Sequence, residues 1–196
     1  MKIILASGSP RRRELLEQAG YEFEIEVSDA DENIQADDPG ELVEQLSFRK
    51  ADAVARKHLQ EQACTVIGAD TVVVLDREVL GKPNGEQGAV EMLKELSGRT
   101  HQVYTGVSLF LIKDGKLTAS QSFHVCTDVT MRPMSDREIA DYVATGEPMD
   151  KAGAYGIQGK AAVFISGIHG DYYNVLGLPV CETVQQLQSL WNRYNS

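Results

Sequence analysis

The stretch TVIGADTVVVL, Thr65–Leu75, constrains this chain more than any other. It is near-continuously apolar and rich in β-branched residues, the pattern of a strand buried within a sheet. A buried strand needs a core around it. With 196 residues, the chain can bury roughly 70% of its unfolded surface. One domain spanning residues 1–196, plain or two-lobed, therefore needs no disulfide or structural metal.

Strand and helix patterns alternate around that segment, which predicts an α/β fold. Ile3–Leu5 reads as a strand running into a Ser7-Gly8-Ser9 turn. Ser9 suits an N-cap, Pro10 suits the first helical position, and Gly20 closes that helix. Tyr21–Val27 alternates as a strand does, and a polar acidic loop, Ser28–Asp38, follows. Asp38-Pro39-Gly40-Glu41 opens a helix that runs to about Lys57. Glu86–Leu96 is a further helix, ended by Ser97-Gly98. His101–Ile112 alternates, and the turn at Lys113-Asp114-Gly115-Lys116 sends it back as a strand near Ser120–Thr130. That antiparallel hairpin argues against a purely parallel, doubly wound sheet and predicts a mixed one. Ser135-Asp136-Arg137-Glu138 is a capping box. The glycine-rich Gly153–Gly159 leads to an expected strand at Ala161–Ile165. HGDYYNVLGLP, His169–Pro179, reads as packing and turn formation, and the last helix starts near Cys181.

Composition narrows the partners. A net charge of −10 argues against nucleic acid and anionic membranes, which demand a positive field. Cys64, Cys126 and Cys181 have no disulfide or metal-ligand spacing, so they read as reduced thiols of a cytoplasmic protein. The apolar N-terminal stretch is too short for a signal peptide, and no run is long enough to span a membrane. His58, His101, His124 and His169 are too scattered for a zinc site.

The informative residues are charges in the wrong place. Arg11, Arg12 and Arg13 fall in the first turn of a helix, where the dipole disfavours cations. Asp70 interrupts the buried strand; such a carboxylate is satisfied locally, lies at an exposed strand end, or serves function. Lys50 falls inside the apolar arc of its helix when plotted at about 100° per residue. It either snorkels to the rim or meets an anion. Lys82, before Pro83, is an ordinary loop lysine when taken alone. Asp31-Glu32 reads as solvated surface, Asp150-Lys151 as a surface ion pair, and Gly156-Ile157-Gln158-Gly159 as a loop whose glycines supply positive φ. Together these residues read differently. A helix N-terminus after Ser7-Gly8-Ser9 offers backbone N–H groups to an anion, and the arginines are then well placed for a phosphate. Cations beside carboxylates able to hold a divalent ion describe a site for a metal–polyphosphate complex.

LASGSPRR (Leu5–Arg12), GADTVV (Gly68–Val73), GKP (Gly81–Pro83), LSGRTHQVYTGV (Leu96–Val107) and DKAGAYGIQG (Asp150–Gly159) follow in this order. The chain thereby resembles the Maf family of nucleoside-triphosphate pyrophosphatases from Leu5 to Pro179. The resemblance implies a two-lobed mixed β-sheet with flanking helices and a central cleft, related to the inosine-triphosphate pyrophosphatases. It implies hydrolysis between the α- and β-phosphates, a divalent cation (Mg2+ or Mn2+) and homodimers. It makes Asp70 the general base and, with Glu32, a metal ligand. Ser7, Ser9, Arg11, Arg12, Lys50, Thr71, Lys82 and Gln158 become the substrate-binding residues. Arg11, Thr71 and Gln158 match the family's dTTP/UTP branch, with modified pyrimidine nucleotides as further substrates. The branch acting on 7-methylguanosine triphosphate carries other residues there. The family is also associated with inhibition of septum formation, which leaves a nucleotide-binding regulator as the alternative.

Overall fold

The computed structural model describes residues 1–194. A seven-stranded sheet runs in the order β2-β1-β3-β5-β6-β7, with β4 paired to β3. The strands are β1 (Lys2–Leu5), β2 (Glu24–Ile25), β3 (Ala63–Leu75), β4 (Glu78–Leu80), β5 (Thr100–Lys113), β6 (Lys116–Met131) and β7 (Ile165–His169). β1 is parallel to β2 and to β3, whereas β4 on β3 and β7 on β6 are antiparallel. The sheet is therefore mixed, as the β5–β6 hairpin demands. Asp114 and Gly115 both take positive φ, 50° and 73°, as a two-residue hairpin turn requires.

The helices are α1 (Pro10–Gln18), α2 (Pro39–Lys57), α3 (Gly85–Leu96), α4 (Asp136–Val143), α5 (Tyr172–Leu176) and α6 (Val180–Tyr194). The starts of α2 and α4 are capped as their sequences signal. The Asp38 carboxylate accepts the Glu41 N–H at 2.9 Å, and Ser135 and Glu138 form the expected capping box.

The chain divides into two compact units. The first comprises Met1–Asp70, Thr105–Val125 and the chain from Gly177. Its core sets Ala51, Val54 and Ala55 of α2 against Ile4, Val66, Phe110 and Ile112 of the sheet. Two glycines bring the helix backbone close. A Cβ at Gly68 would overlap the Ser47 carbonyl, and one at Gly106 would overlap the Val43 carbonyl. On α6, the Trp191 indole N–H donates to Thr65 Oγ1 at 2.9 Å.

The second unit comprises Thr71–Tyr104 and Cys126–Leu176. Leu93 and Leu96 of α3 and Ile139 and Tyr142 of α4 are buried, as are Val103, Val129 and Met131 of the sheet. Asn174 of α5 donates to the Val103 carbonyl and to Thr127 Oγ1, both at 2.9 Å. This short helix, where turn formation was expected, is thereby pinned to the strands.

Two expectations fail. The strand expected at Tyr21–Val27 is paired only over Glu24–Ile25. It lies at the sheet edge with Tyr21 and Phe23 half-buried and Ile25 and Val27 exposed, so its alternation buries no residue fully. The strand expected at Ala161–Ile165 is instead a 3₁₀ helix over Lys160–Phe164, and β7 begins at Ile165. Ala161 and Phe164 are buried while Val163 is exposed. A three-residue spacing belongs to a 3₁₀ turn rather than to a strand.

Candidate active site

In the first unit the site is built on the carboxyl ends of two parallel strands, where open α/β sheets bind ligands. Leu5 of β1 is in register with Ile67 of β3, which sets the Ser7–Ser9 turn beside the approach to Asp70. The turn delivers α1 as expected, with Ser9 at the N-cap and Pro10 in the first turn. The Ser9 side chain makes no cap hydrogen bond, and no acidic residue occupies the first turn. Nothing on the helix itself neutralises its positive end.

Ser7 and Arg12 organise this corner. The buried Ser7 hydroxyl accepts from Arg12 Nη1 at 3.1 Å and from the Ser9 N–H at 3.3 Å. Arg12 Nε donates to the Gly177 carbonyl at 2.8 Å. Burial lowers the Arg12 pKa from its ordinary value; Asp70 and Glu32 oppose that shift and Arg11 adds to it. The guanidinium stays charged all the same. Asp70, Glu32 and Arg11 thus all lie close enough to Arg12 to act on it.

The burial of β3 from Cys64 to Leu75 is interrupted only at Asp70 and Thr71. The sequence oddity thus marks the place where the strand is partly uncovered. Lys50 reaches Asp70 from α2. Its Nζ lies 2.6 Å from Asp70 Oδ1 and 3.0 Å from Glu32 Oε1. The Lys50 and Asp70 side chains are each 14% exposed, whereas Glu32 is 64% exposed. A buried ammonium bridging two carboxylates answers both readings of Lys50: it meets anions, and these anions come from the protein.

The pair of carboxylates also bears on the metal. Among the described residues no group of three or more His, Cys, Asp or Glu side chains could hold an ion. Asp70 and Glu32 nevertheless converge on a single point, now marked by Lys50 Nζ. Two carboxylates suit a hard ion such as Mg2+, which keeps several waters and takes its other ligands from substrate phosphates. The residues present fit that kind of site and do not fit a closed, all-protein cage.

The family model described as Maf-like protein matches residues 2–190. The chain belongs to the Maf family. A dTTP/UTP pyrophosphatase of Bacillus mycoides is 50% identical over 188 residues, covering 95% of this chain and 94% of the relative. A protein of the same name from Symbiobacterium thermophilum is 54% identical over 187 residues, covering 95% and 92%. Among solved structures, a HAM1 protein from Coxiella burnetii aligns over 96% of this chain and 99% of its own at 13% identity, with a TM-score of 0.44. The family model and the sequence relatives, not that faint likeness, place the chain.

The remaining expected residues of this Maf chain, Thr71, Lys82 and Gln158, lie in the second unit. Thr71 is half-buried, and Lys82 and Gln158 are exposed. Their loops meet: the Gly153 N–H donates to the Gly81 carbonyl at 3.0 Å. Gly153, at φ +67°, presses on Val73, where a Cβ would come within 3.0 Å of the valine methyls. This juncture joins the GKP and glycine-rich segments to the strand that carries Thr71.

The loop carrying Gln158 is held by Tyr142, Glu147 and Lys160, which sequence reasoning passed over. The Glu147 carboxylate accepts from Tyr142 Oη at 3.0 Å and from the Lys160 N–H at 3.0 Å. It fills the space a Cβ at Gly159 would need. Lys151, expected as a surface ion pair, does pair with Asp150 at 2.7 Å, but its Nζ also donates to the Glu147 carbonyl at 2.8 Å. From beneath, Tyr155 meets the fully buried His101 at 2.7 Å. Only the glycine spacing of this segment signalled a tight structure; its partners are too distant in sequence to be read from a pattern. The Gly177 carbonyl that holds Arg12 was equally unreadable, because a backbone oxygen leaves no trace in the residue type.

Proposed function

We propose that this protein is a nucleoside triphosphate pyrophosphatase that hydrolyses dTTP and UTP, and related modified pyrimidine nucleotides, to the monophosphate and pyrophosphate. The observation that carries this reading is the bridging of Asp70 and Glu32 by Lys50, in the same corner of the first unit as Arg12. About half-identical relatives of matching length, themselves named dTTP/UTP pyrophosphatases, support the choice of substrate.

In this reading the N-terminus of α1, with Arg11 and Arg12, takes the triphosphate. Ser7 and Ser9 shape the turn that presents it. Asp70 accepts a proton from the water that attacks the α-phosphorus; the bond to the bridging oxygen breaks and pyrophosphate leaves. Lys50 then trades its carboxylates for phosphate oxygens and stabilises charge in the transition state. Asp70 and Glu32 would hold a divalent cation, which supplies Lewis-acid neutralisation of the phosphates when bound. Lys82 is a further phosphate contact, and Thr71 and Gln158 read the base. Gln158 offers both a donor and an acceptor, as the edge of a pyrimidine requires. One pyrophosphatase domain over residues 1–196, homodimeric and cytoplasmic, completes the reading.

The test is a pyrophosphate-release screen across nucleoside triphosphates, with and without Mg2+, and with the products separated by chromatography. Monophosphate with pyrophosphate from dTTP and UTP is the expected result. Diphosphate with orthophosphate as the main products would refute the bond choice. A preference for purine nucleotides would refute the branch.

A further inference from the structure

Glu32 is more exposed than Lys50 or Asp70, the two groups it joins, and it stands in a loop without regular secondary structure, 28–38. What keeps it facing Asp70 is therefore a separate question from what it does there. Two short local bonds of the loop lie at Glu32 and its neighbours. The Asn33 N–H donates to Asp31 Oδ1 at 2.9 Å, and the Ile34 N–H to the Glu32 carbonyl at 3.0 Å. These bonds shape the turn but do not anchor it.

The anchor comes from α2. Arg49 Nη1 donates to the Asp31 carbonyl at 3.1 Å and to the Asn33 carbonyl at 3.4 Å. Its guanidinium also lies 3.9 Å from Asp31 Oδ2. The two carbonyls belong to the residues on either side of Glu32, so one side chain grips the backbone both before and after the carboxylate. Arg49 adjoins Lys50 on the helix. Lys57, two turns further on, holds Asp29 at 3.5 Å. Both bonds come from the one nitrogen Nη1, whose two N–H groups are held in the plane of the guanidinium.

We propose that Arg49 is a positioning residue: by gripping the carbonyls of Asp31 and Asn33 it fixes the backbone around Glu32 and presents that carboxylate beside Asp70. The proposal rests on the reading of Glu32 as a metal ligand. Electrostatics and positioning predict opposite signs. Arg49 is a cation near a cation site, so removing its charge alone would tighten metal binding. Loosening the loop would weaken it, and outer-shell partners of metal ligands are typically worth 10–100-fold in affinity or activity.

The experiment compares wild type, Arg49→Met, Arg49→Lys, Glu32→Gln and the double variant Arg49→Met/Glu32→Gln. Mn2+ binding to the nucleotide-free protein is followed by electron paramagnetic resonance. Hydrogen exchange at the Asn33 and Ile34 amides is measured on the same samples, together with kcat and KM for dTTP. Arg49→Met is expected to speed exchange at those amides, weaken Mn2+ binding by about tenfold and lower kcat more than it raises KM. Arg49→Lys should recover part of each loss, and the substitution should add nothing in the Glu32→Gln background. Tighter Mn2+ binding in Arg49→Met, unchanged binding, or full additivity with Glu32→Gln would overturn the proposal. If Glu32→Gln itself binds Mn2+ like wild type, the metal-ligand reading beneath the proposal fails, and the proposal with it.

Discussion

Acid should unlatch the second unit through His101. This side chain is fully buried on β5, and its Nε2 lies 2.7 Å from Tyr155 Oη. Among the described residues its Nδ1 finds no hydrogen-bond partner. The neutral ring with its proton on Nε2 can donate to Tyr155 and leave Nδ1 a bare acceptor. Protonation would place an N–H on Nδ1 with nothing to receive it. Burial accordingly pushes the His101 pKa down from 6.5 to about 4, with Asp128 opposing. The unfolded chain therefore takes up a proton first as pH falls. The stabilisation is complete above pH 6.5 and is lost progressively as pH drops towards the folded value of about 4. At about 1.4 kcal/mol per pH unit, the full loss is about 3 kcal/mol, and about 2 kcal/mol of it is gone by pH 5. That is a sizeable part of a typical folding free energy. Urea unfolding followed by far-ultraviolet circular dichroism at pH 7 and pH 5 measures it. His101→Gln, whose amide can still donate to Tyr155 but cannot titrate, is the reference. Wild type should lose about 2 kcal/mol more than the variant between the two pH values, a midpoint difference near 1 M for a slope of about 2 kcal/mol/M. Equal losses in the two proteins would refute the argument from burial.

Asp70→Asn should keep the fold and lower kcat for dTTP by about 10²–10⁴; steady-state turnover with a thermal melt decides, and near-wild-type turnover removes Asp70 as the base. Gln158→Glu replaces an amide donor with an acceptor-only group. It should lower kcat/KM for dTTP and UTP more than for CTP and GTP, and an equal fall for all four would make the residue structural. Gly106→Ala drives a methyl group into the Val43 carbonyl. Displacing α2 should cost about 1–3 kcal/mol, read as a lower Tm, and should reduce activity because Lys50 rides on that helix.

Much of this protein was determined locally and was therefore legible in its sequence. Caps, turns and periodicity act over a few residues, so Asp38, Ser135 and the Asp114-Gly115 turn announced their elements before any partner was known. The buried strand announced itself by composition. Asp70 stood out within it because burying a carboxylate is costly wherever it occurs, and the structure opens β3 to solvent at just that point. The arginines of α1 stood out for a similar reason, since a helix dipole has a fixed direction. Where local pattern had to be completed by burial, the reading failed. Tyr21–Val27 alternates like a strand yet lies at a sheet edge that leaves Ile25 and Val27 exposed, and Ala161–Ile165 buries every third residue. Tertiary structure alone decided which charges meet. Lys50 lies 20 residues from Asp70, Arg12 lies 165 residues from the Gly177 carbonyl, and His101 lies 54 residues from Tyr155. No spacing rule connects such pairs. Lys50 reaches Asp70 because two glycines let α2 settle onto the sheet, and the Ser7–Ser9 turn lies near Asp70 because parallel pairing sets the ends of β1 and β3 side by side. The Asp70 carboxylate at the opened stretch of β3 then meets the ammonium that α2 brings to it.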